Sequence, residues 1–337
     1  MNKIYKCKDY DLDLITNKSI GIIGYGIQGR AQALNLRDSG CSVIIGNNED
    51  SYKIQAQEDG FIVKDILSVI KESDIIFLLI PDESHKSIFN KFITPFAKKD
   101  QLFIVAHGYS LKYKKYSYPS YINIGMLAPR APGEPIRTSY LNDEGVPCFV
   151  DVVHDYTGNT LGILLALGKA IGFSKSGMLP ISYEEETELD LFIEHFIGPL
   201  FIGAVEKSLQ LLIDKGYSPL ASSLELYTSG ERGFMWSVYA RDGLYKALHN
   251  NASPTCKFGI SSYIDETITP EIKNQMEKVI SAIKDGSFAT KLDAEEKNNY
   301  PQVTEFFNSK QMENIRILLD NKARNIELSP IQNKLLK

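Results

Sequence analysis

The segment SIGIIGYGIQG, residues 19–29, constrains what this chain can fold into more than any other feature. A short apolar run, Ile20 to Ile23, has the character of a buried strand. Gly24, Gly26 and Gly29 then turn the chain into an amphipathic helix carrying Ala31, Ala33, Leu34 and Leu36, and CSVIIG (41–46) follows as a second strand. Glycines at this spacing are a weak signal alone and a specific one between a strand and a helix with another strand behind. They permit a tight turn and a close approach of backbone to a pyrophosphate, while the helix N-terminus offers N–H donors to that anion. The first half is therefore expected to bind a dinucleotide.

Alternation of strand and helix continues. DIIFLLIP (74–81), QLFIVAHG (101–108), YINIGMLAP (121–129) and VPCFVDVV (146–153) read as parallel strands ending in polar loops. Ligands of open parallel sheets bind at the carboxyl ends of the strands. Pro81-Asp82-Glu83, His107-Gly108 and Arg130 all fall there. The loop after the second strand, GNNEDSYK, faces the adenosine ribose in such a fold. Glu49 and Asp50 argue for NADH, because an acidic side chain binds the ribose hydroxyls and repels an added phosphate. Ser51 and Lys53 are the residues able to hold that phosphate, so NADPH stays open and the balance leans to NADH.

Composition excludes several classes. The 337 residues are 43% hydrophobic and 23% charged with a net charge of −5, which leaves no basic footprint for nucleic acid or a membrane surface. MNKIYKCKDYDLD at the amino terminus is too polar for a signal or transit peptide. No uninterrupted apolar run approaches the roughly 20 residues that span a bilayer. Cys7, Cys41, Cys148 and Cys256 are scattered without a C-x-x-C pair, which fits a reducing cytoplasm and neither a disulfide framework nor a zinc site.

From about residue 182 the pattern turns to long helices. Asp190 and Glu194 are four apart, so a helix sets both carboxylates on one face, where they can share a divalent cation. Leu189, Leu191, Phe192 and Ile193 surround them, and buried charges require a counter-charge or a metal. Pro199 predicts a kink just beyond. A second helix, SPLASSLELYTSGERGFMWSVYARDGLYKAL, carries Glu225 and, six residues later, Glu231. Hard oxygen ligands of this kind select magnesium or manganese.

Over roughly residues 15–320, GYGIQGRAQALNLRDSG, LLIPDE, AHGYS, APRAPG, HDYTGN, EEETELDLFIE and IKDGSFA occur in an order that resembles the short-form ketol-acid reductoisomerase (acetohydroxy acid isomeroreductase) family. The resemblance implies an α/β N-terminal Rossmann dinucleotide-binding domain (1–181), then an all-helical, knotted dimerisation domain (182–325) and a tail (326–337). It implies a magnesium-assisted alkyl shift in 2-acetolactate, then reduction by NAD(P)H to a 2,3-dihydroxy acid, in at least a homodimer. Carried over residue by residue, Asp190 matches the carboxylate shared by two magnesium ions, Glu194 its neighbour, and Glu225 a ligand donated by the partner subunit. Glu188 matches the glutamate that bonds the reacting oxygens, His107 the histidine near the site, and Ser253 the serine that holds the substrate carboxylate. The expected cofactor contacts are Gly24, Tyr25, Gly26, Ile27, Gln28, Gly29, Asn48, Ser51, Lys53, Asp82 and Gly133.

The departures lie where the chemistry is. Arg130 stands in place of the family's lysine, and arginine stays charged at any working pH; it can orient Glu194 or stabilise an oxyanion but cannot shuttle a proton. Ser229 replaces a second partner-supplied glutamate, and a hydroxyl is a poorer magnesium ligand. Glu231 comes two residues too late and, on a continuous helix, points away from Glu225. Glu134 replaces a histidine, His195 a glutamine, and LFIEHFIGPLFIG puts larger residues where the family has glycines. The expectation is a divergent enzyme acting on a small keto acid. The alternatives are a 2-keto acid reductase without the isomerase step, or a silent dinucleotide-binding protein.

Overall fold

The computed structural model describes residues 3–6, 8, 11–114 and 116–308. Two compact units meet in the sequence at Asp190 and Leu191. The expected tail, 326–337, lies outside the described residues.

The first unit is built on one eight-stranded sheet: β1 (Ser19–Ile23), β2 (Ser42–Gly46), β3 (Ile62–Lys64), β4 (Ile75–Leu78), β5 (Leu102–Val105), β6 (Asn123–Pro129), β7 (Cys148–His154) and β8 (Met178–Pro180). Their spatial order is β3-β2-β1-β4-β5-β6-β7-β8. The chain winds outward from β1 in both directions, so a crevice opens at the carboxyl ends of β1 and β4. Every residue of β4, β5 and β6 is buried, as strands covered by helices on both faces require. Alternation sends Ile20 and Ile22 into one core cluster, with Leu34, Leu36 and Leu164, and Ile23 into the other, with Val69, Ile76 and Phe89. Each buried side chain of this size contributes about 1.5–3 kcal/mol.

One strand runs against expectation. β7 pairs antiparallel with β6, Pro129 opposite Cys148, instead of parallel. The connecting helix Gly133–Leu141 does not cross the sheet. It lies against the helix Ile27–Asp38: a Cβ on Gly133 would sit 1.9 Å from the Ile27 carbonyl oxygen, and Arg137 Nη1 donates to the buried Asn35. The chain thus re-enters the sheet from the end at which it left.

The glycine turn follows the sequence reading closely. Gly24 adopts φ +95°, and a Cβ there would meet the Leu79 carbonyl oxygen at 2.4 Å. At Gly29 it would meet the Gly24 carbonyl oxygen at 2.1 Å, whereas at Gly26 nothing lies within 4 Å. Gly24 and Gly29 are required by the fold, while Gly26 borders open space.

Among the described residues the second unit is entirely helical. The helical stretch Tyr183–Asp214 passes through a π-turn, Ile193–Ile197, before Gly198–Asp214. Pro199 sits just after that wider turn, which absorbs the missing N–H without ending the helix. Within this stretch of 32 residues one 18-residue segment has a mean hydropathy of 1.5, so the helix is long and apolar enough, by length and composition alone, to cross a bilayer. The second expected helix is also interrupted: Gly230 (φ +76°) and Gly243 (φ +88°) divide it. Ile202, Trp236, Tyr245 and Phe258 are each more than half exposed, an apolar display of the kind that marks interaction surfaces.

Replacing Gly24 by alanine should cost about 1–3 kcal/mol in urea unfolding, from strain and backbone overlap. Gly26→Ala should leave the midpoint unchanged yet weaken NADH binding in calorimetry. Equal stability of the two variants would remove the turn's special status.

Candidate functional site

At the nucleotide edge, no side chain caps the helix Ile27–Asp38, so its first N–H groups are free to meet an anion beside the open Gly26. Ile27 is 72% exposed there. The Tyr25 ring is buried, and its hydroxyl donates to Asp59 at 2.8 Å. Burial first, then that carboxylate, push the phenol well above its usual range. Gln28 donates to the Ala131 carbonyl at 3.0 Å, while Gln32 Nε2 donates to Gln28 Oε1 at 3.1 Å. The glycine helix thereby holds the APRAPG loop.

After β2, Asp50 caps the helix Ser51–Glu58 by accepting from the Tyr52 and Lys53 N–H groups, and Asn47 Nδ2 donates to it at 2.8 Å. Lys53 is paired with Glu49. Asn48 and Ser51 are exposed, and the Asn48 carbonyl accepts from Asn47 Nδ2 at 3.1 Å.

A second constellation gathers at the same carboxyl edge. Asp82 follows β4, His107 follows β5, Arg130 follows β6, and Glu186 and Asp190 lie one turn apart on the helix Tyr183–Phe192. Arg130 Nη1 donates to Glu186 Oε1 at 2.8 Å, and Nη2 pairs with Asp190 Oδ1. Its guanidinium also lies 5.1 Å from the centre of the Phe149 ring. The Gly108 N–H donates to Glu186 Oε2 at 2.9 Å. His107 Nδ1 donates to Asp82 Oδ2 at 3.3 Å, so Asp82 faces this histidine. On its other side Nε2 lies 3.4 Å from Asp190 Oδ2 and 3.7 Å from Glu186 Oε2, buried and without a hydrogen bond.

Electrostatics follow from this geometry. Burial opposes charge on His107, but the Asp82 hydrogen bond and the attraction of Glu186, Asp82 and Asp190 outweigh it and raise its pKa to about 9. Glu186 is 1% exposed; burial lifts its carboxyl above the ordinary value, against the pull of His107, the Gly108 N–H and Arg130.

Glu188, expected to touch reacting oxygens, points elsewhere. Two residues from both Glu186 and Asp190, it is turned about 200° from each around the helix, and it pairs with Lys112 Nζ at 2.6 Å. The carboxylate brought beside Asp190 and His107 is Glu186, which the sequence reading passed over. The spacing argument that paired Asp190 with Glu194 applies equally four residues upstream. Lys112 was also missed, and so was His85, buried between Ser110 Oγ (2.8 Å) and the Ile80 carbonyl (3.2 Å). Arg130 engages Asp190 and Glu186.

In the second unit, Glu194 and Glu225 are both exposed, each within a π-turn, Ile193–Ile197 and Leu224–Thr228. Such turns occur often at functional sites. The Ser229 hydroxyl accepts from the Glu231 N–H at 3.4 Å, and Glu231 opens a new helix after Gly230, so continuous helical phase does not relate it to Glu225. Ser253 caps the helix Pro254–Thr267 by accepting from Cys256 N–H at 3.2 Å. His195 packs on Phe288, ring centres 4.0 Å apart. Glu134 lies in the first turn of Gly133–Leu141, where the helix dipole favours it.

Residues 14–177 match the family model described as acetohydroxy acid isomeroreductase, NADPH-binding domain, and residues 183–321 match ketol-acid reductoisomerase, C-terminal domain. The chain is 35% identical over 305 residues to a ketol-acid reductoisomerase (NADP(+)) of Methanosphaera stadtmanae, covering 89% of this chain and 91% of that one. A protein of the same description from Methanocaldococcus jannaschii is 35% identical over 308 residues, 90% and 92% of the two chains. A solved structure of an NADH-preferring ketol-acid reductoisomerase from an uncultured archean aligns with TM-score 0.89 and 28% identity over 96% of this chain and 99% of that one.

Removing Arg130 leaves a buried carboxylate short of a cation. Arg130→Met should lower stability by about 2–3 kcal/mol in urea unfolding, because water still reaches part of the pair. Adding Glu186→Gln should restore part of that loss. Additive losses would mean that the two side chains do not depend on one another.

Proposed function

We propose that this chain, which belongs to the ketol-acid reductoisomerase family, converts a 2-hydroxy-2-alkyl-3-keto acid such as 2-acetolactate into a 2,3-dihydroxy acid at the expense of NAD(P)H. The observation that carries the reading is the convergence, at one edge of one sheet, of an uncapped glycine-turn helix with the cluster of His107, Arg130, Glu186 and Asp190. Ligand atoms of His107, Glu186 and Asp190 lie within 4.8 Å of one another. The carboxylates are hard oxygen donors and His107 Nε2 is an orphaned polar atom facing them, so the donor set fits a divalent cation. Asp190 and Glu186 would hold magnesium; the assignments of Glu194 and Glu225 as ligands rest on the resemblance alone. When bound, the ion supplies Lewis-acid polarisation of substrate oxygens.

The chain's own residues divide the remaining work. Arg130 keeps Glu186 and Asp190 oriented and adds a fixed positive charge. His107, steadied by Asp82, presents Nε2 beside the two carboxylates, where it can pass a proton to the reacting oxygen. Ser253 is proposed for the substrate carboxylate.

For the cofactor, the local structure supports NADH. The N–H groups that open the Ser51–Glu58 helix are taken by Asp50, and Lys53 is paired with Glu49; of the two side chains suited to a 2′-phosphate, Lys53 is engaged and Ser51 is exposed. The archaeal relatives above carry NADP(+) in their names, and the structural neighbour is described as NADH-preferring. The pairing of Arg130 with both carboxylates, together with Ser229, favours a second reading in which the reduction survives without the alkyl shift.

With magnesium present, 2-acetolactate should drive NADH oxidation, with a lower KM for NADH than for NADPH. A 3-hydroxy-2-keto acid consumed while 2-acetolactate is not would establish the second reading, and turnover of neither would reject both. The exposed apolar helices support a homodimer, so light scattering should give at least twice the chain mass of 37.8 kDa; a monomer refutes that part.

A further inference from the structure

We propose that the Arg130 guanidinium occupies one of the two cation positions of the carboxylate cluster, so that the site accepts a single divalent ion, on the side facing His107. The inference rests on the reading of Glu186 and Asp190 as a metal site and deepens it. The four carboxylate oxygens divide into two sets. Glu186 Oε1 and Asp190 Oδ1 are taken by the two terminal nitrogens of Arg130. Glu186 Oε2 and Asp190 Oδ2 face His107 Nε2 at 3.7 and 3.4 Å, where that nitrogen has no hydrogen bond. One half of the cluster therefore already holds a guanidinium; on the other half, facing His107, Glu186 Oε2 accepts from the Gly108 N–H and Asp190 Oδ2 lies 3.4 Å from Nε2.

The filled half is held firmly. A planar guanidinium carries two N–H vectors in a fixed fork, so one side chain serves both carboxylates at once. A lysine ammonium is a single point charge on a flexible stem and has no such fork. Arg130 is anchored behind by its backbone N–H, which donates to the Pro147 carbonyl at 2.8 Å, and by the Phe149 ring at 5.1 Å. It cannot surrender its charge by losing a proton. A second dication on that side would have to displace a charge-assisted pair from Glu186, which is 1% exposed, at a heavy cost.

The test counts ions on the full-length, metal-stripped protein. Manganese is titrated and its free signal read by electron paramagnetic resonance, with magnesium calorimetry in parallel, for the wild type and for Arg130→Lys. Retained NADH binding serves as the control for folding. The wild type should bind one ion per chain with no exchange-coupled manganese spectrum. In Arg130→Lys the count should rise to two and the coupled spectrum should emerge. Two ions in the wild type, or one in Arg130→Lys, overturns the proposal and leaves the metal site itself intact. No ion in either protein defeats the metal reading and this inference with it.

Discussion

A carboxylate stripped of water keeps its charge only where cations and N–H donors replace the lost hydration. Glu186 is such a group, and the arrangement of the whole edge answers it. The Gly108 N–H comes from the turn after β5, the Arg130 guanidinium from the turn after β6, and His107 approaches within 3.7 Å. Satisfying one side chain thus demands that two strand ends and the Tyr183–Phe192 helix stand within hydrogen-bond length of one another. Gly108 makes that approach possible, since a Cβ there would come within 2.3 Å of the Tyr183 carbonyl oxygen.

The same edge joins this cluster to the nucleotide turn. Gln28, on the helix that opens after Gly26, donates to the Ala131 carbonyl, the residue next to Arg130. Gly133 then lets the following helix close on Ile27. A shift of the glycine turn would therefore be felt at Arg130 through a hydrogen bond and a backbone contact. In a reaction that needs hydride donor and acceptor held at one distance, such a connection supplies orientation.

Much of this was legible residue by residue. Ile20 to Ile23 and the glycines after them announced a strand, a turn and a helix, because those properties depend on neighbours a few positions away. Asp190 stood out for the same local reason. The reading stumbled where phase or direction depended on distant contacts. Glu188 and Glu186 lie in one acidic run, and only the side of the helix that meets Gly108 and Arg130 separates them. β7 has the apolar character of its neighbours, and nothing in it reveals that the helix before it stays at one edge of the sheet. An uninterrupted helix was read through Gly230, whose positive φ ends it.

Residue order alone was enough to specify a dinucleotide turn, an α/β unit followed by helices, and the kinds of side chain available for chemistry. These follow from periodicity, glycine positions and residue type, which are properties of short windows. Tertiary structure alone decided that Arg130 grips two carboxylates, that Lys53 is engaged by Glu49, and that Glu186 is the acid removed from water. Each of those outcomes turns on which groups come to share a few ångströms of low-dielectric space, and for the cluster they come from segments far apart in the chain.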